Sequence, residues 1–147
     1  MKLCYAVLMF LMISLCWCAQ AADSEPVGVV VSCRCEDLVG SQFCFALKEK
    51  IRASAGYELV ADSHRPAAAM RIVCADTEVG EMVGHGSAVA ITFTVITKPS
   101  EEYLATHLVM VGSKRVNDMA ASVLADLDEA IEPFRDMLKV RVTKKSE

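Results

Sequence analysis

The stretch SCRCEDLVGSQFC, residues 32–44, holds three cysteines, Cys33, Cys35 and Cys44, and a fourth, Cys74, lies further on. Sulfurs that pair fix the topology of a small chain at the points they join, so their redox state limits the fold more than any other feature. That state is read from the start of the sequence, MKLCYAVLMFLMISLCWCAQA. Lys2 supplies a positive first segment, Leu3 to Cys18 form an apolar run, and Ala19-Gln20-Ala21 places small residues at the positions a signal peptidase reads. The expectation is a signal peptide over residues 1–21, with the mature domain occupying 22–147. The apolar run of about 16 residues falls short of the ~20 that span a bilayer, so no stable membrane insertion is expected after cleavage. Cys18 follows Trp17 and Cys16 follows Leu15, so neither sits in a lipid-attachment motif.

Cleavage removes Cys4, Cys16 and Cys18 and leaves an even set of four cysteines in a periplasmic or extracellular space, where disulfides are the default. Three pairings are possible. Joining Cys33 to Cys35 would close a strained ring, and the pairing favoured here is Cys33 with Cys74 and Cys35 with Cys44. Cys33-Arg34-Cys35 lacks the Cys-x-x-Cys spacing of thioredoxin-like sites and the spacing that wraps ligands around zinc. Structural stapling is therefore preferred to redox or metal chemistry, and no metal or other cofactor is expected.

The mature charge follows from losing one of 15 basic residues and none of 19 acidic ones, a net of −5. A mildly acidic, unpatterned chain has no positive surface with which to replace counterions, which argues against a nucleic-acid partner. About 126 mature residues suffice for one domain with its own core.

Along the chain, VGVVVSC (27–33) reads as a strand covered on both faces, followed by a polar turn from Arg34 to Asp37. Phe43, Leu47 and Ile51 then recur at helical spacing from about Gly40, with Ser41 as a candidate cap and Gly56 as a left-handed stop. YELVADS (57–63) alternates and ends at the turn His64-Arg65-Pro66. AAMRIVCADT (68–77) puts Met70, Ile72 and Cys74 on one face and Arg71 and Val73 on the other. SAVAITFTVITK separates Val89, Ile91, Phe93 and Val95 from Ala90, Thr92 and Thr94, and a hairpin at Pro99-Ser100-Glu101-Glu102 leads into YLATHLVMVGS. Val116, Met119, Ala120, Val123, Leu124, Leu127 and Ile131 form the stripe of a second helix, which Pro133 ends, and a frayed basic tail is expected from about residue 139. The order predicts an α+β two-layer sandwich: a mixed or antiparallel sheet of about five strands with two helices on one face.

Catalytic constellations are hard to assemble. His64, His85 and His107 fall in a turn, a glycine loop and a strand, and no nucleophile or carboxylate can be assigned to any of them. GHGS around Ser87 is not a nucleophile elbow, and GEMVGHG lacks the Lys-Ser/Thr of a phosphate loop. Met70, Met110, Met119 and Met137 sit at core-facing periods, which favours packing over copper(I) binding. The sheet face away from the helices would carry Thr92, Thr94, Thr106 or His107, a polar surface suited to a protein partner.

The N-terminal hydrophobic strand, followed by FALKEKIRASAGYELVADS and AAMRIVC, resembles small α+β domains of bacterial envelope proteins, such as the N-terminal domain of TolB and the lipoprotein regulators of peptidoglycan synthases. The segment 68–73 lacks the Asp-Tyr pair of many members. The resemblance spans residues 27–131 and implies a non-catalytic adaptor that works through protein contacts, with no functional residue to carry over. An exported interaction domain is thus the leading expectation. A thiol-dependent oxidoreductase or small hydrolase is the enzyme alternative, needing a free thiolate at Cys35 or a His–acid pair in a pocket. A secreted inhibitor presenting the loop from Glu78 to Gly86 is a further one.

Overall fold

The computed structural model describes residues 26–61, 67–77, 84–97, 100–135 and 137–138. The expected leader, the turn at His64, most of the Glu78–Gly86 loop and the basic tail lie outside them. Five strands and two helices follow in the order β1 (Val27–Cys35), α1 (Leu38–Ala53), β2 (Tyr57–Leu59), β3 (Ala68–Asp76), β4 (Gly86–Thr97), β5 (Ser100–Gly112) and α2 (Val116–Ile131). The sheet is mixed, ordered β2-β1-β3-β4-β5. β2, β1 and β3 run parallel, whereas β4 and β5 pair antiparallel. This is the expected α+β architecture, and both helices join the same buried cluster on one face of the sheet.

Parity builds that core. Val29, Val31, Cys33 and Cys35 of β1 face the helices, as do Ala68, Met70, Ile72 and Cys74 of β3 and Val89, Ile91, Phe93 and Val95 of β4. Phe43, Leu47 and Ile51 of α1 meet them, and Val123, Leu127 and Ile131 of α2 complete the layer. Fully burying one such side chain is worth about 1.5–3 kcal/mol, so these two stripes carry the fold. Among the described residues, no helix is long and apolar enough to cross a membrane.

One disulfide joins two strands and the other joins the sheet to a helix, and their pairing corrects the sequence expectation. Cys35 joins Cys74, and Cys33 joins Cys44. Strand order is the reason. β1 lies directly beside β3 in a register that sets Cys35 opposite Cys74 and Cys33 opposite Ile72. Cys33, two residues back on the same face, is left beneath α1, where Cys44 reaches it. Loops closed by separations of 11 and 39 residues correspond to about 3 and about 4 kcal/mol of lost unfolded-chain entropy.

Local boundaries also differ from expectation. β1 runs through Cys35, so the polar turn shrinks to Glu36 and Asp37. Asp37, not Ser41, caps α1, accepting from the Gly40 amide at 2.6 Å. At the other end the helix stops at an extended Ser54, and Gly56 has no left-handed backbone; its amide donates to Ser54 Oγ at 3.2 Å. Of the four methionines expected inside, Met70 is buried and Met119 packs partly against the core, but Met110 and Met137 are exposed. Among the described residues no layer packs on either position: Met110 is on the sheet face away from the helices, Met137 past the Pro133 turn.

The start of α1 is packed against the Cys35–Cys74 bridge. A Cβ on Gly40 would come within 2.4 Å of Cys74 Cβ and 2.9 Å of its Sγ. In an ordinary helix, glycine to alanine stabilises by about 0.5–1 kcal/mol. Here the sign reverses: Gly40→Ala is expected to destabilise by about 1–3 kcal/mol through overpacking, measured as a lowered urea midpoint at unchanged m-value.

Candidate functional site

One face of the sheet is covered by the helices; among the described residues, nothing covers the other. On that outer face the strand registers align side chains in rows. Ser32, Arg71, Thr92 and Thr106 form one row, Arg34, Val73, Ala90 and Leu108 the next, and Ala75, Ala88 and Met110 the one after. The face therefore has a polar half and an apolar half.

The polar half contains three of the four residues expected to form a contact surface. Thr92 and Thr106 hydrogen-bond each other at 3.0 Å. The Thr94 hydroxyl donates to Glu101 at 2.6 Å, and Arg71 grips the same carboxylate at 2.8 and 3.0 Å. β3, β4 and β5 are thus laced together across the face by Arg71, Thr94 and Glu101. The hydrogen bonds from Thr94 and Arg71 hold the Glu101 carboxyl below its ordinary range. These groups are occupied within the chain.

His107, the fourth expected residue, is on the opposite side of the sheet. It lies opposite the core residue Ile91, its ring meets Phe93 edge-on with centroids 5.3 Å apart, and Nδ1 is 3.1 Å from Asp126 Oδ2 on α2. Thr106 and His107 are neighbours on one strand and must face opposite ways; the register sets Thr106 beside Thr92 on the outer face and His107 beside Ile91 on the inner one.

The apolar half is where side chains reach solvent unpartnered. Val73, Leu108 and Met110 are 54%, 75% and 60% exposed. Ala88 and Ala90 on β4 form a low floor between Val73 and Ala75 on one side and Leu108 and Met110 on the other. The result is a shallow trough with apolar walls and an arginine, Arg34, beside Val73 at its margin. Sequence parity had put Val73 on this face; the clustering with Leu108 and Met110 needed the strand register.

Elsewhere the chemistry is structural. Ser87, fully buried, donates to Asp37 Oδ2 at 3.0 Å and ties β4 to the start of α1. Tyr57 donates to Asp128 at 2.5 Å, with Arg135 ion-paired to Asp128 and Glu132 and lying over the Tyr57 ring, so β2 is clamped to the end of α2. Burial, together with the hydrogen bond to Asp128, pushes the Tyr57 phenol further above its usual range. A groove between the two helices is lined by Ser41, Gln42, Phe45, Ala46, Ser113, Val116 and Asn117, and includes neither His107 nor Asp126. Among the described residues, no group of three or more His, Cys, Asp or Glu side chains is placed to hold a metal ion.

No family model matches the sequence, and no curated protein matches it significantly. Solved structures to which the chain is similar include a hypothetical protein from Chlamydia trachomatis, 8% identical with a TM-score of 0.46, covering 78% of this chain and 98% of that one. A dodecameric PelC from Paraburkholderia phytofirmans is 15% identical with a TM-score of 0.46, covering 74% of this chain and 87% of that one. A lipoprotein from Neisseria meningitidis is 11% identical with a TM-score of 0.40, covering 69% and 96%. At these scores the likenesses decide nothing about function.

The outer-face lacing carries a pH signature. Because the Glu101 pKa is lowered on folding, its contribution is fully present above the unfolded carboxyl pKa of about 4.3 and fades as pH falls through the folded value. Glu101→Gln is therefore expected to reduce stability modestly at neutral pH, since the pair is solvent-exposed, and to converge with the parent protein as acidification protonates the folded-state carboxyl. Urea titrations of both proteins across that range provide the measurement.

Proposed function

We propose that the chain is an exported, non-catalytic interaction domain of the cell envelope that binds a protein partner through the uncovered face of its sheet. The observation that carries this reading is the exposed apolar cluster of Val73, Leu108 and Met110 around an alanine floor. Contiguous apolar surface on a sheet face is uncommon in chains that work alone and marks contact sites. The trough offers shape without a reactive group, which suits an apolar segment of another protein, with Arg34 available to a neighbouring acid. Both bridges support an oxidising compartment outside the cytoplasm. The adaptor role implied by the resemblance to TolB-like and peptidoglycan-regulator domains agrees with this reading.

The enzyme alternatives find less support. The Cys35 sulfur is bonded to Cys74, leaving no free thiolate there. His107 and Asp126 do form a His–acid pair, but it bridges β5 to α2 against Phe93 and not the lining of the helix groove.

The test places a photo-activatable benzophenone side chain at Ala90 and cross-links in intact envelopes. A cross-linked partner band is expected in the parent protein and in the control Glu129→Gln, and Val73→Asp is expected to weaken it about tenfold while near-UV circular dichroism stays unchanged. Partner bands of equal strength with Val73→Asp, or none in the parent, would defeat this reading.

A further inference from the structure

The two edges of the sheet differ. β2 spans only Tyr57–Leu59 and offers little backbone, whereas β5 runs Ser100–Gly112 and, among the described residues, no strand pairs with its outer edge. Long edge strands are ordinarily blunted by lysine, proline or an inward charge. From Tyr103 to Gly112 the sequence YLATHLVMVG contains no Lys, Arg, Asp, Glu or Pro. Its open amides and carbonyls form a template for one more strand.

The charge pattern identifies the occupant. β5 begins with Glu101, held by Arg71 and Thr94, and Glu102, which accepts a neutral hydroxyl from Thr97 and has no cation paired to it among the described residues; the strand leads into a 3-10 turn containing Lys114 and Arg115. Both bases are exposed, and neither forms an ion pair with a described residue. An antiparallel neighbour sets the start of one strand against the end of the other, so acid at one end and base at the other is complementary to a second copy of itself. We propose that the protein is a two-fold symmetric dimer in which the β5 strands of two copies pair antiparallel, with Leu108 facing Leu108 of the second copy across the axis.

The register follows from parity and charge. From Ala105 to Gly112, past the bulge opposite Phe93 and Thr94, faces match only when the two opposed residue numbers add to an even total. With Leu108 on the axis, Thr106 opposes Met110, and beyond the surplus Leu104 the turn carrying Lys114 and Arg115 of one copy approaches the acidic first residues of the other copy's β5. Moving the axis to His107 carries Lys114 and Arg115 beyond Glu101 and Glu102, and the charge match is lost. Two five-stranded sheets then become one, both helical layers lie on the same side, and the exposed Leu108 and Met110 are partly covered. The pairing stands on the strand edge and the charged ends, not on Val73, so it can fail or hold separately from the partner reading.

The decisive experiment is sedimentation velocity on the oxidised, exported protein at tens of micromolar, with two variant sets. The parent is expected to run at twice the chain mass. Lys114→Glu with Arg115→Glu should weaken association at least about tenfold, and adding Glu102→Lys should recover part of it. Leu108→Cys should form a disulfide-linked dimer under mild oxidation, since opposed strand positions bring Cα atoms within bridging distance. Tyr103→Cys, well away from the axis, should not. A monomeric parent overturns the proposal. So does a dimer in which Leu108→Cys does not cross-link or the charge reversal has no effect. The mass of the parent and the charge variants decide the matter even if a cysteine variant fails to fold.

Discussion

The position of β1 governs the rest of the molecule. It lies between β2 and β3, parallel to both, and presents Val29, Val31, Cys33 and Cys35 to the helices. The two sulfurs then fasten it in different directions, Cys35 sideways to β3 and Cys33 upward to α1. Asp37 follows two residues later, capping α1 and accepting from Ser87 of β4. A single turn of chain therefore sets the distance between the sheet and its first helix. Glycine at position 40 belongs to the same arrangement, since a side chain there would meet the bridge.

The outer face shows how a small α+β domain can satisfy its polar groups and still remain adhesive. Arg71, Thr94 and Glu101 are bonded across three strands, and Thr92 with Thr106 closes a further pair. Groups already hydrogen-bonded within the chain gain little from a new partner, because binding must first break what they have. Apolar side chains have no such obligation. Val73, Leu108 and Met110 gain from burial in proportion to the area covered. The threonines thus stiffen the surface on which the apolar residues are displayed.

Much of this was readable from the residues. The four-residue spacing of Phe43, Leu47 and Ile51 located α1, the stripe from Val116 to Ile131 matched α2, and the alternation from Val89 to Val95 gave β4 with its faces correct. What could not be read was order in space. The cysteine pairing depends on β1 lying beside β3, and periodicity within a strand says nothing about its neighbours. The cap went to Ser41 in place of Asp37 because the strand was ended too early, at Cys33 instead of Cys35. The choice between Thr106 and His107 for the outer face is likewise a matter of register: YLATHLVMVG has no polar–apolar alternation that sets its phase, and the pairing with β4 decides it. Met110 was read as core because a methionine in an apolar strand looks the same whether or not a second layer covers it.

The bulge in β5 has a consequence of its own. At Phe93 and Thr94 the pairing skips Leu104, so odd-numbered Glu101 and Tyr103 share the outer surface with even-numbered Thr106, Leu108 and Met110. A strand keeping perfect phase could not have shown both sets to the same side. One surplus residue acts as a phase shifter, allowing a hydrogen-bonded, ionic end and a greasy end to be written along a single ribbon and read from one direction.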